Sequence, residues 1–139
     1  MGTSTDAILL YGIQFGECVE GKFQSDDGEE SLNCEDVICK AYGWDGKKPK
    51  DSFEYKDKHK VPVVMSIHCS YEYAMYTLAI EESVTRANCG HPVEIGRLRG
   101  GRGTTPDQLQ VWDRTLKDAC ERLSLKYSQP AWWLQSMWG

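Results

Sequence analysis

The chain has 139 residues, 40% of them apolar and 27% charged, enough for one domain with its own core and too apolar for a disordered chain. Its net charge is −5, which argues against a nucleic-acid binder, and that charge is uneven. Residues 1–40 hold nine acids against Lys22 and Lys40, a balance of −7, and the rest of the chain balances at +2.

The opening residues, MGTSTDAILLYGIQFGECVEG, have neither the basic start and long apolar run of a secretion signal nor a convincing acylation pattern. The run AILLYGI is far too short to span a bilayer. A cytoplasmic protein without a membrane segment is expected, so its six cysteines (Cys18, Cys34, Cys39, Cys69, Cys89 and Cys120) read as free thiols.

Residues 7–14, nearly all apolar, predict a central strand. An acidic connector over 20–36 follows. NCEDVICKAYGW then predicts a short helix, with Asn33 as its cap, Val37, Ile38 and Ala41 as its stripe and Gly43 as its stop. DGKKPKDSFEYKDKHK shows no periodicity and reads as a lysine-rich loop. VPVVMSIHCS and YEYAMYTLAI predict two strands joined by a tight turn near Ser70 and Tyr71, with Val63, Met65, Ile67 and Cys69 on one face. HPVEIG reads as an edge strand because Pro92 lacks a ladder donor, and a glycine-rich loop, RLRGGRG, comes next.

The clearest element spans 105–124. Thr105 is positioned to cap it, Pro106 sits at the first helical position, and Gln108 completes a Thr-x-x-Gln capping box. Leu109, Trp112, Leu116, Cys120 and Leu123 form one apolar stripe. The final PAWWLQSMWG predicts a strand, with Trp132, Leu134, Ser136 and Trp138 on one face and Trp133, Gln135 and Met137 on the other. Its rings are expected to be buried as core, so deleting the tail should unfold the protein. Together these elements predict a single α+β domain over 1–139. Its sheet is mainly antiparallel, with about five strands, and the long helix packs on one face.

Four groups of residues bear on chemistry. Cys34, Cys39, His68, Cys69, Cys89 and His91 lack the two close pairs of a structural zinc site, and a helix would hold Cys34 and Cys39 about 140° apart. Neighbours on a strand, His68 and Cys69 face opposite ways and form no dyad; Cys89 with His91 has better geometry for thiol chemistry, but no orienting carboxylate. Arg97, Arg99 and Arg102, set among glycines, suit an anion or nucleotide, although the ending of a P-loop is missing. Two opposed charge runs complete the set. One contains Asp26, Asp27, Glu29 and Glu30, the other Lys47, Lys48 and Lys50, and both suit a protein interface.

The hairpin IHCSYEYAMYTLAI and the Trp-Trp-Leu-x-Ser-x-Trp-Gly ending resemble small proteins encoded by bacteriophages and prophages, over about a third of the chain. The shared residues are core-like, so the resemblance implies a fold and a setting, with no catalytic residue to carry over. It implies an accessory protein in a bacterial host. We expect a non-enzymatic inhibitor of a defence protein, an anti-CRISPR or another anti-defence factor, needing no cofactor. Its partner would be a nuclease or CRISPR effector, with self-association as a homodimer an open alternative. Its contacts would be Asp26, Asp27, Glu29, Glu30, Lys47, Lys48, Lys50, Arg97, Arg99 and Arg102. The alternatives are an anion-sequestering protein using the Arg97–Arg102 loop, or a small enzyme dependent on a metal or a thiol.

Overall fold

The computed structural model describes residues 5–16, 34–69, 74–88, 90–93 and 105–138. Within them the order is β1 (Thr5–Gly16), α1 (Cys34–Ala41), α2 (Ser52–His59), β2 (Val63–Cys69), β3 (Ala74–Ile80), a 3₁₀ turn (Glu81–Ser83), β4 (Thr85–Ala87), α3 (Pro106–Leu123) and β5 (Ala131–Trp138). The fold is α+β, with five strands in one sheet and helices on one of its faces.

The apolar first strand is the hub of that sheet. β1 pairs antiparallel with β5 from Thr5 to Gly12, with β4 from Ala7 to Leu9, and with β3 from Gly12 onward. β2 pairs antiparallel with β3 and meets β5 in one parallel bridge, Cys69 to Met137. The pairings therefore run round a ring, β1–β3–β2–β5 and back to β1. At Gly12 the backbones of β1 and β3 approach so closely that a Cβ would collide with the Leu78 carbonyl oxygen.

β3, the 3₁₀ turn and β4 run as one interrupted strand along β1. Gly12 opposes Ala79 and Leu9 opposes Thr85, so residues 80–84 lie opposite only residues 10 and 11. Such an excess leaves a backbone donor without a ladder partner. Ser83 fills the gap: its hydroxyl accepts from the Tyr11 N–H at 3.0 Å and donates to the Ile80 carbonyl at 2.7 Å.

The larger core lies between the sheet and the three helices. Tyr11, Ile13, Val63, Met65, Leu78 and Ile80 from the strands meet Ile38, Cys39, Trp112, Leu116, Ala119 and Cys120 from α1 and α3. As the stripe predicts, Trp112, Leu116 and Cys120 are buried on α3. Thr105 does cap α3, its hydroxyl accepting from the Gln108 N–H at 3.2 Å. The return half of the expected capping box is not made, because the Gln108 side chain reaches Glu82 instead.

Three expectations need correction. The lysine-rich segment contains a helix: Asp51 accepts from the Phe53 N–H to cap α2, and Tyr55 turns inward. The edge strand is Thr85–Ala87; residues 91–93 are not in a strand, and His91 makes only an isolated bridge with Asn88. In the last strand the rings are not all core. Trp132 packs against Tyr11 and Trp112, with centroids 5.3 and 5.9 Å apart, whereas Trp133 is 37% exposed and Leu134 75% exposed. Register is the cause: Trp132 lies across from Tyr11 under α3, and Trp133 lies across from Leu10 on the reverse face. Asn33, the turn near Ser70 and Tyr71, and the Trp138 side chain lie outside the described residues.

A charged groove between two helices

Three remote segments meet at one end of the helix layer. α2 supplies Lys56 and Asp57, the 3₁₀ turn supplies Glu81 and Glu82, and α3 supplies Val111, Trp112 and Thr115. They enclose a groove of about 470 Å³ whose apolar floor is completed by Val61, Pro62 and Ile80. A space of that size accepts a large side chain or a small ligand.

Lys56 organises the closed end. Its ammonium lies 3.2 Å from Glu35 Oε2 of α1 and 2.8 Å from Glu81 Oε2. Burial raises the Glu35 carboxyl above the usual carboxylate range, and the lysine charge opposes that rise. Burial alone would lower the Lys56 pKa, but the hydrogen bond and charge of Glu81, together with Glu35, hold it above the ordinary lysine value. On the opposite wall Glu82 Oε1 accepts from the Trp112 indole at 2.8 Å and from the Gln108 amide at 3.3 Å. The carboxylates of the 3₁₀ turn thus join α2 and α3 to the sheet.

These side chains hold one another in place. Lys56 is committed to two carboxylates, and the Trp112 indole to Glu82.

The residues singled out from the sequence fall elsewhere. Lys47, Lys48 and Lys50 are exposed on the turn between α1 and α2. Asp45 shapes that turn by accepting the N–H groups of Lys47 and Lys48 at 2.8 and 3.0 Å, and these bonds lower its pKa. Trp44 anchors it from inside, donating from its indole to the Pro49 carbonyl at 2.8 Å. Asp26, Asp27, Glu29, Glu30, Arg97, Arg99 and Arg102 lie outside the described residues, as do Cys89 and the side chains of Cys34, His68 and Cys69.

Cys39 and Cys120 are buried free thiols. Burial pushes the Cys39 thiol up, and it donates to the Ser52 carbonyl at 3.4 Å. The Cys120 thiol is pushed up to about 11 by burial. Both are poor nucleophiles at neutral pH. Among the described residues no group of three potential metal ligands comes together, and no helix is long and apolar enough to cross a membrane.

The groove itself was not anticipated from sequence. Its one local signal is Glu81-Glu82 directly after an apolar strand, a position where a charged pair ends the strand and can reach neighbouring helices. Comparison of the chain with protein-family models, with curated proteins and with solved structures finds no match.

Proposed function

We propose that this protein is a non-enzymatic binding protein of bacteriophage or prophage origin that inhibits a bacterial defence protein, a nuclease or CRISPR effector, by docking onto it in the bacterial cytoplasm. The observation that supports this reading is the groove: an apolar floor beneath a rim of charges whose central lysine is held by Glu35 and Glu81. Partner surfaces of this kind combine an apolar centre with a polar rim that sets orientation. Lys47, Lys48 and Lys50 present a second charged patch on a turn pinned by Asp45. The setting rests on the resemblance of the hairpin and the tryptophan-rich ending.

The test is titration of the purified protein into a panel of bacterial defence nucleases and effectors. Inhibition that saturates near one-to-one, with a complex isolable by size-exclusion chromatography, is the expected result. Charge reversal of Lys47, Lys48 and Lys50 to Glu should weaken inhibition at least tenfold while changing stability by no more than about 1.5 kcal/mol, since exposed substitutions alter it by only about 0.5 kcal/mol each. Complete inactivation at far below stoichiometric protein would reveal turnover and overturn the reading.

A further inference from the structure

The turn between α1 and α2 carries a positive excess. Residues 40–51 hold Lys40, Lys47, Lys48 and Lys50 against Asp45 and Asp51, four positive charges against two negative. Both aspartates face backbone donors: Asp45 accepts the Lys47 and Lys48 N–H groups, and Asp51 accepts that of Phe53. All four lysines are exposed. The ion pairs among the described residues engage Lys56, Arg86 and Arg122, and none of them reaches these four ammonium groups. Lys40 forms no ion pair even with Asp36, one helical turn before it. Its stem runs toward the turn instead, and its Cε lies 3.5 Å from the place a Cβ would take on Gly46. Lys40 is thereby brought beside Lys47 and Lys48, which follow Gly46 directly.

We infer that this lysine cluster seats a carboxylate-rich segment of the partner protein. The inference rests on the docking reading above and names what the second patch recognises. Three observations favour protein carboxylates over the phosphates of a nucleic acid. The segment offers no ring for a base to stack on: Trp44 is buried with its indole turned to the Pro49 carbonyl, and Tyr42 is covered by the Arg122 guanidinium. The cluster contains no arginine, whose planar fork suits nucleic-acid phosphates. Lysine is a point charge on a flexible stem, and it can meet carboxylates one at a time along an extended segment. The net charge of −5 acts in the same direction. Beyond a Debye length of about 10 Å the whole chain repels an extended polyanion, whereas a short acidic segment feels the local excess. Asp45 and Trp44 fix the turn from within, so little ordering of its backbone is left to oppose binding.

The experiment uses the full ¹⁵N-labelled chain and two probes, the peptide acetyl-Gly-Glu-Asp-Glu-Gly-amide and a single-stranded oligothymidylate of matched charge. The backbone amides of Gly46, Lys47 and Lys48 report on the cluster. The peptide should give saturable shifts centred on them. Raising NaCl from about 0.1 M to about 1 M should weaken its binding about tenfold, as the Debye length falls from about 10 Å to about 3 Å. The triple variant Lys40→Gln, Lys47→Gln, Lys48→Gln should abolish the shifts. A control variant, Lys58→Gln, Lys117→Gln, Lys126→Gln, removes the same net charge from exposed positions elsewhere and should leave them unchanged. Should the first variant fail to fold, the control variant and the preference between the two probes decide alone. Shifts centred elsewhere, no saturation, or loss of binding in the control variant overturns the inference. So does tighter binding of the oligothymidylate, which would assign the cluster to nucleic acid. If the first variant still inhibits a defence protein at full strength, docking occurs on another surface: the proposed function stands and this inference falls. If the peptide binds as expected while the protein inhibits no member of the panel, the proposed function falls and the carboxylate preference of the cluster stands.

Discussion

The two faces of the sheet are held by different forces. On the helix-covered face, Tyr11, Ile13, Val63, Met65, Leu78 and Ile80 pack against apolar side chains of α1 and α3. The reverse face carries a smaller cluster, Ile8, Leu10 and Ala79, joined by Val64 and Val84. Beside it lies a chain of polar contacts: the Gln135 amide donates to the Thr77 hydroxyl, and the Ser66 hydroxyl donates to Gln135 Oε1. Thr77 is fully buried and Gln135 nearly so. Apolar area is non-directional, whereas a buried hydrogen bond specifies which atoms must meet. The helix face therefore supplies most of the stability. The reverse face fixes which strands close the ring, because Ser66, Thr77 and Gln135 come from β2, β3 and β5.

The largest effect should come from the helix face. Leu116 is fully buried against the sheet, so Leu116→Ala removes apolar contact and leaves a cavity, at a cost of about 4 kcal/mol. Urea unfolding monitored by tryptophan fluorescence measures it. A loss under about 1 kcal/mol would mean that α3 is not packed as described and would remove the contrast between the faces.

The seam between the helices is next. Lys56→Met should cost about 3 kcal/mol at neutral pH, because it removes the ammonium 3.2 Å from the largely buried Glu35 carboxylate. The pH dependence carries the sign. Burial already raises the folded-state pKa of Glu35 above its unfolded value, so its contribution to stability is most favourable at low pH and declines as pH rises through the folded pKa. Removing Lys56 raises that pKa further. The stability gap between wild type and variant should therefore shrink as pH falls into the carboxylate range, where Glu35 takes up a proton and its buried charge disappears. Denaturant titrations across that range test this, and a gap independent of pH would show that Glu35 is not the group whose charge Lys56 offsets.

How far the sequence foretold this arrangement follows from the kind of signal each part leaves. β1, the β2–β3 hairpin and α3 were legible because each buries a repeating set of apolar residues, and α3 adds Thr105 and Pro106 at its start. α2 was missed because Ser52–His59 turns only Tyr55 and Ser52 inward, and one ring makes no stripe. Asp51 was its only local mark. β4 was missed because three residues carry no alternation; what makes them a strand is pairing with Ala7–Leu9, a tertiary fact. In PAWWLQSMWG the alternation was read correctly, but alternation does not tell how far a covering helix extends, and α3 leaves Leu134 uncovered. The groove was the least legible feature. Lys56, Glu81 and Val111 are far apart in the chain, and each alone reads as wetted surface.

On the reverse face, Gln135→Leu should cost about 2 kcal/mol, the penalty for leaving the buried Thr77 hydroxyl without its donor. Adding Thr77→Val should restore much of that loss, because no polar atom of the pair then remains to be satisfied. A cycle of the two single variants and the double variant isolates this coupling. Strictly additive losses would mean that Gln135 contributes only by filling space, and the reverse face would then be held as the helix face is.

The smallest effect separates exposure from composition within one strand. Leu134 is 75% exposed although it is flanked by Trp133 and Gln135 in the middle of β5. Leu134→Ser removes little buried area, and serine suits an exposed strand position, so the change in stability should stay within about 0.5 kcal/mol. Thermal unfolding of the isolated protein measures this. A loss several times larger would place Leu134 beneath covering side chains, so that the helix face extends beyond α3. A near-zero result confines the apolar load to the positions under α3, where Trp132 is the ring that β5 contributes among its described side chains.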